Sequence, residues 1–356
     1  MSYPWAGRRL VVLAVVWIAL ALLHAIPAAA DKQAGDDAFE AKDYNKAFKE
    51  LLQEAQRGDR RSQYRIGWMY LNGQGTARNE AKAIFWLTKS GEQKYARAQA
   101  ELGEIYVEGR GVKANVEQGG KWLRLAAENG NSDAMYELGD LYLKGAGVAK
   151  SEPEAAAWYR KSADDGNAAG AHRLGRLYLE GIGVAKSDAE AFNWFKISAD
   201  QGNKNGQYHL ARMLLEGRGG AKDPGKALTL FELAAKDGHR DAQLMLGEIY
   251  SGDRGGPKDY GKALAWFEKA DDQGSKTASL RLGLMYRDGL GVKADDAKAV
   301  KYFRRGADRG NARAMWVLSE MYQEGRGVKK DAAKAEEWSK LAVKNGYKGL
   351  DDILTE

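Results

Sequence analysis

Residues 134–167 read AMYELGDLYLKGAGVAKSEPEAAAWYRKSADDGN. Gly139 follows Leu138, with Ala134 five positions before it and Tyr142 three after it. Offsets of −5, −1, 0 and +3 share one face of a 3.6-residue helix, so the stretch opens with a helix bearing a narrow apolar stripe. The small residue in that stripe lets a neighbouring helix come close. Gly145 and Gly147 then mark a left-handed helix end and a tight reversal. Ser151 is a favoured N-cap with Glu154 three residues on, a capping box. A second helix carries Trp158 and Ala163 and stops at Gly166. The stretch predicts two antiparallel helices.

The pattern returns every 36 residues without insertion, its small residue standing at Gly67, Gly103, Gly139, Gly175, Ala211, Gly247, Gly283 and Ser319. The residue before it is aliphatic throughout, from Ile66 to Leu318, and three after it stands a tyrosine, or Leu214 in the fifth unit. The second turn glycine recurs from Gly75 to Gly327. N-cap residues recur at Asn79, Asn115, Ser151, Ser187, Asp223, Asp259, Asp295 and Asp331. The second helix repeats an aromatic at Trp86, Trp122, Trp158, Trp194, Trp266, Tyr302 and Trp338, broken only by Leu230, and its helical register predicts burial in the core. A glycine closes that helix from Gly130 to Gly346, and Lys94 takes the place in the first unit. A period of this length means an all-α solenoid in which each unit packs on its neighbours.

Departures gather in the middle. The fifth unit has Ala211, Leu214 and Leu230, and the fifth and sixth turns read Arg218-Gly219-Gly220 and Arg254-Gly255-Gly256. Asp253 replaces a turn glycine and Pro257 is added, which predicts weaker packing over 205–260.

The composite pattern, Ala-x-x-x-Leu-Gly-x-x-Tyr, Gly-x-Gly-Val, Lys-Ala-x-x-Trp and Ala-Ala-x-x-Gly-Asn, resembles the Sel-one-like repeat, a relative of the tetratricopeptide repeat. Residues 134–167 carry it most closely, and the resemblance covers residues 60–347. It implies a right-handed α/α superhelical solenoid of about eight 36-residue helix-turn-helix repeats. It implies further that other proteins are held in the concave face, that members act as adaptors, receptors or regulators, and that a bacterial subset is periplasmic or secreted. One cysteine-rich branch is linked to β-lactam binding through repeats stapled by disulfides. This chain contains no cysteine, so that property does not carry over.

Arg8 and Arg9, the apolar run from Leu10 to Ile26 and the small residues Ala28-Ala29-Ala30 read as a secretory signal over residues 1–30, cut after Ala30. Uncleaved, the run would be the only membrane attachment. Residues 31–59 read as an N-terminal capping half-repeat with Phe39, Tyr44, Phe48 and Leu51 as its stripe, and 348–356 as a C-terminal tail that caps the other end. Without Arg8 and Arg9 the chain carries 53 basic and 49 acidic residues, intermixed, which is a solvated surface and excludes a nucleic-acid footprint. Gly220 to Lys226 and Gly256 to Lys262 approach a phosphate loop but lack its hydroxyl residue and strand, and read as repeat filler. His172, His209 and His239 supply too few convergent ligands for a metal. No catalytic residue, cofactor site or metal site is expected.

Positions that the repeat leaves unfixed carry the recognition. Three before the small residue stand Tyr64, Tyr136, His172, Tyr208 and Trp316, and one after it stand Trp68, Asp140, Arg176 and Arg212. If first helices line the concave face, as in the related repeats, these residues form its groove; the bland alternative is that the −3 aromatics fill gaps between repeats. Aromatic residues and arginine dominate interface energetics. The expectation is a protein-binding scaffold or regulator of the bacterial cell envelope, with an envelope sensor or assembly component as partner. The alternative is a glycan- or peptidoglycan-binding protein or wall-active, β-lactamase-like enzyme.

Overall fold

Each second helix of the repeats starts where a side-chain oxygen can reach three residues ahead. Asn79, Asn115, Ser151, Ser187, Asp223, Asp259, Asp295 and Asp331 all accept from the N–H at that position. Their own N–H groups do not engage the glutamates of a capping box. Each donates instead to the carbonyl nine residues upstream, as Asn115 does to Tyr106 (2.7 Å) and Ser151 to Tyr142 (3.0 Å). That carbonyl is one of the last four of the first helix, which have no helical partner. One residue thus ends one helix and begins the next.

The computed structural model describes residues 32–254, 256 and 258–349, and the predicted signal over 1–30 lies outside them. Two helices, α1 (32–40) and α2 (Tyr44–Gln56), precede the repeats. Then come α3 (Arg60–Asn72), α4 (Glu80–Glu92), α5 (Ala96–Glu108), α6 (Val116–Glu128), α7 (Ser132–Lys144) and α8 (Glu152–Asp164). The series continues with α9 (Ala168–Glu180), α10 (Asp188–Asp200), α11 (Lys204–Glu216), α12 (Pro224–Lys236), α13 (Arg240–Ser251) and α14 (Tyr260–Asp272). It ends with α15 (Lys276–Asp288), α16 (Asp296–Asp308), α17 (Ala312–Glu324) and α18 (Ala332–Lys344). The described residues hold no strand, and the fold is an all-α repeat solenoid. No described helix is long and apolar enough to cross a membrane. The described residues form two compact units, unit 1 up to residue 170 with 181–185, and unit 2 of 171–180 and from 186 onward.

In six repeats the glycine of a first helix meets a side chain 20 positions on. A methyl added to Gly103 would stand 2.5 Å from Leu123 Cγ, and one on Gly175 2.8 Å from Phe195 Cδ1. Leu87, Leu123, Tyr159, Phe195, Phe231, Phe267 and Phe303 form this row and are at most 1% exposed. The tryptophans predicted for the core precede them by one residue and are half-buried, Trp194 alone being buried. One residue turns a helix side chain through about 100°, so the fully buried site falls next to the tryptophan. Lysines cover the tryptophan faces instead, Lys161 at 4.1 Å from the Trp158 ring and Lys269 at 4.3 Å from Trp266. A further buried row, Met69, Ile105, Leu141, Leu177, Met213, Ile249, Met285 and Met321, lies two after the small residue. It was readable as an unbroken hydrophobic position.

Among the described residues of 205–260, weaker packing is not found. Leu210, Ala211, Leu214 and Phe231 lie within one continuous core of unit 2. What changes is the sixth turn: α13 has 12 residues, and Gly252 takes the left-handed cap at φ +90°. With Asp253 where glycine is usual, the helix stops one residue early.

The N-terminal cap is a shortened helix pair, not the single half-repeat expected. Asp36 and Glu40 of α1 both hold the buried Arg65 guanidinium, Glu40 at 2.5 Å, while Phe39 covers it at 4.5 Å.

Candidate functional site

The −3 row does part of what its bland reading predicts. Tyr64 meets Tyr95 at 5.2 Å, Tyr208 stacks on His239 at 4.5 Å and Trp316 stacks on Tyr347 at 4.9 Å, each ring packing on the residue 31 positions ahead. Tyr136 lies 5.9 Å from Tyr159. These side chains are half-buried, with one edge between repeats and one facing outward.

The structure gathers Tyr208 and Arg212 into an open groove of unit 2, about 720 Å³, between the first helices α11, α13 and α15 and the turns beside them. Leu215, Leu244 and Met245 add apolar surface, and Arg254, Arg281 and Lys222 add cations. Glu248 is 5% exposed and sits between Arg254 (3.0 Å) and Arg281 (3.6 Å). Arg281 also reaches Asp253 at 3.4 Å, yet its buried Nε has no acceptor. Sequence reasoning missed Arg254 and Arg281 as groove residues. Leu244 is simply the next member of the −3 row after Tyr208, whereas Arg281 lies two before its small residue, a position the repeat pattern did not draw attention to.

The other proposed recognition residues lie elsewhere. Tyr64 and Trp68 line a separate hollow of unit 1 with Phe39, Tyr44, Tyr95 and Arg97. Trp316 lines a third with Glu320 and Gln323, and its indole N–H donates to Glu320 at 3.0 Å. Asp140 accepts from the Tyr159 hydroxyl and sits with Glu104, Glu108 and Glu137 around a small cleft of unit 1. There burial, then Glu104, Asp133, Glu108 and Asp140, push the Glu137 carboxyl up to about 7. Arg176 pairs with Glu180 at 2.9 Å and Arg212 with Glu216 at 3.4 Å.

The histidines of unit 2 pack as rings. His209 stacks on Phe195 at 4.9 Å and lies 5.2 Å from His172, whose buried Nε2 has no partner. Burial, His209, and then Arg173 and Arg176 push His172 down to about 3. Burial and the charges of Arg176 and Arg212 push His209 down to about 4. His239 caps α13, its Nδ1 accepting from the Ala242 N–H at 3.1 Å. No cluster of three or more metal-ligating side chains exists among the described residues. The strings resembling phosphate loops put Lys226 and Lys262 in first helical turns, where the carboxylates of Asp223 and Asp259 occupy their N–H groups. An anion would have to displace them.

The model of the Sel1 repeat matches residues 60–95, 96–131, 132–167, 168–203, 205–239, 240–275, 277–311 and 312–347. The chain belongs to the Sel1 repeat family. Sel1 repeats are protein-interaction modules and generally non-catalytic. Among solved structures, this Sel1 protein is similar to a protective antigen present in uropathogenic Escherichia coli strains and displaying an SLR fold. Identity is 32% over 88% of this chain and 76% of that one, with a TM-score of 0.69. It is also similar to a Sel1 repeat protein from Oxalobacter formigenes, at 32% identity over 67% of this chain and 96% of that one, with a TM-score of 0.63. No curated protein matches it.

Proposed function

We propose that this Sel1 protein is a non-catalytic scaffold or regulator of the bacterial cell envelope, exported by its N-terminal signal, that binds a partner protein on its first helices. The observation that carries the reading is the unit 2 groove, where Tyr208, Leu244 and Met245 stand half-buried among guanidinium groups. Apolar anchors ringed by charge suit a protein segment, with the apolar side chains giving affinity and the charges fixing register. Tyr64 with Trp68, and Trp316, are secondary contact points on the same proposal, and Tyr136, Asp140, His172 and Arg176 belong to the same two rows. An envelope sensor or an envelope-assembly component is the partner class proposed.

The test has two parts. Fractionation with N-terminal sequencing is expected to find the mature chain starting at Asp31 outside the cytoplasm; a cytoplasmic chain starting at Met1 would refute export. Cross-linking in intact cells is expected to capture a partner protein that Tyr208→Ala plus Leu244→Ala loses while circular dichroism is unchanged. Capture indifferent to that pair would refute the groove.

A further inference from the structure

Resting on that reading, we propose that the occupant of the unit 2 groove is an acidic segment of a partner protein: an extended or helical stretch that sets Leu, Phe or Tyr on the apolar floor and carboxylates against Arg212, Arg281 and Lys222. The charge distribution argues for it. Four cations, Arg212, Lys222, Arg254 and Arg281, line the groove with three carboxylates, Glu216, Asp241 and Glu248. Every one of those carboxylates is already engaged. Glu248 is taken by Arg254 and Arg281, and Glu216 by Arg212 and by Arg218 at 3.6 Å. Asp241 is held by Arg240 at 2.9 Å. Arg240 is not among the groove's lining residues, so it neutralises Asp241 from outside; Arg218, also outside, is held mainly by Asp188 at 2.8 Å, and Asp253 takes one contact of Arg281. The surplus facing the groove is positive.

The arginines, by contrast, have capacity left. A guanidinium carries five N–H donors in a fixed fork. Arg212 makes one bond of 3.4 Å to Glu216, near the limit of a hydrogen bond, and its guanidinium otherwise stands 6.0 Å from the Tyr208 ring. Arg281 touches its two acids only at 3.4 and 3.6 Å. A carboxylate brought onto this pair would gain charge-assisted hydrogen bonds without displacing an existing short one. A basic segment would face the surplus cations with no carboxylate left to receive it. The aliphatic and aromatic floor, Tyr208, Leu215, Leu244 and Met245, supplies the apolar part of the match.

The experiment pans a random 12-residue peptide display library on the mature full chain, residues 31–356, and measures the recovered peptides by fluorescence anisotropy. Binders that compete with one another and fail on Tyr208→Ala plus Leu244→Ala define the groove. The expected groove binders carry Asp or Glu near Leu, Phe or Tyr. Replacing those acids by Asn or Gln is expected to weaken binding at least tenfold in 50 mM salt and much less in 500 mM, because the Debye length shrinks. Arg212→Gln plus Lys222→Gln, both outside the buried Glu248 cluster, should remove the same tenfold while the thermal midpoint stays. Groove binders that are neutral or basic, or acidic ones indifferent to that double variant, would overturn the acidic occupant while leaving the groove standing. Recovery of no peptide sensitive to Tyr208→Ala plus Leu244→Ala would overturn both readings.

Discussion

The two units share one register of buried rows and differ in what their first helices present outward. In unit 1, helices α5 and α7 carry Glu101, Glu104, Glu108, Asp133, Glu137 and Asp140. In unit 2, α9, α11 and α15 carry Arg173, Arg176, Arg212 and Arg281, with His172 and His209 among them; α3 of unit 1, with Arg60, Arg61 and Arg65, and α13 of unit 2, with Asp241 and Glu248, run the other way. The difference shows how the repeat divides labour. Positions at −5, −1, 0 and +2 are fixed because a helix must close on them, whereas −3, −2 and +1 half-face solvent and vary with what they meet. Charge of opposite sign can therefore ride on the same backbone.

The largest expected effects test whether the interiors are as alike as the faces are different. Leu123→Ala in unit 1 and Phe267→Ala in unit 2 are each expected to cost about 3–5 kcal/mol, since both side chains are fully buried against a neighbouring helix. Trp122→Ala and Trp266→Ala, half-buried beside them, should cost less than half as much, about 1–2 kcal/mol. Urea unfolding of the four variants checks the order. A tryptophan outranking its neighbour would break the assignment of the interior row.

Next in size is the response to acid, which should have opposite sign in the two units. His172 and His209 have folded pKa values near 3 and 4, below their ordinary 6.5. Between those limits the unfolded chain binds more protons, so their contribution is intact above pH 6.5 and is lost as the pH falls toward 4 and then 3. Glu137 is the reverse, with a folded value of about 7 above an ordinary 4.5. Its contribution is complete below pH 4.5 and is lost as the pH rises through 7. Hydrogen exchange corrected for intrinsic rates should show α9 to α12 losing protection between pH 6.5 and 4 while α5 and α7 hold or gain. His172→Phe plus His209→Phe should flatten the first trend and Glu137→Gln the second. Parallel trends in the two units would contradict the electrostatics.

Most of the fold was legible because a 36-residue period gives eight independent readings of each position. The caps, turn glycines and small residues each follow from a local rule of φ angle or hydrogen bonding, and they recur. What was illegible needed a second helix in view. Trp158 looks like a core residue in isolation, but Tyr159 is the one that meets Gly139, and only the angle between the helices decides between neighbours. The groove was half legible for a similar reason. Tyr208 and Arg212 fall on rows of a single helix, whereas Arg281 joins them from a helix two repeats later.

Two smaller effects sharpen the comparison further, one in each unit. In unit 1 the amides of Gln93 and Asn129 donate to Gln63 and Gln99, 30 residues back, at 2.8 and 2.9 Å. In unit 2 Gln273 does the same for Gln243 at 2.7 Å. Asp237 holds the equivalent place opposite Gln207, and a carboxylate has no proton to give, so the buried Gln207 Oε1 is left without a donor. Asp237→Asn should stabilise unit 2 by about 1 kcal/mol. Lys94 of unit 1 adopts φ +59° at the place where seven repeats have glycine. Lys94→Gly should gain a few tenths to about 1 kcal/mol by relieving that strain. Thermal midpoints of the two variants measure both gains, and a loss in either would remove the corresponding account.

The most direct test of recognition on the first helices is hydrogen exchange of the chain with and without any protein captured by the proposed cross-linking. The account requires new protection in α11, α13 and α15 around Tyr208, Leu244 and Arg281. Protection confined to the second helices, where Leu125, Ile197 and Leu233 are exposed, would contradict it.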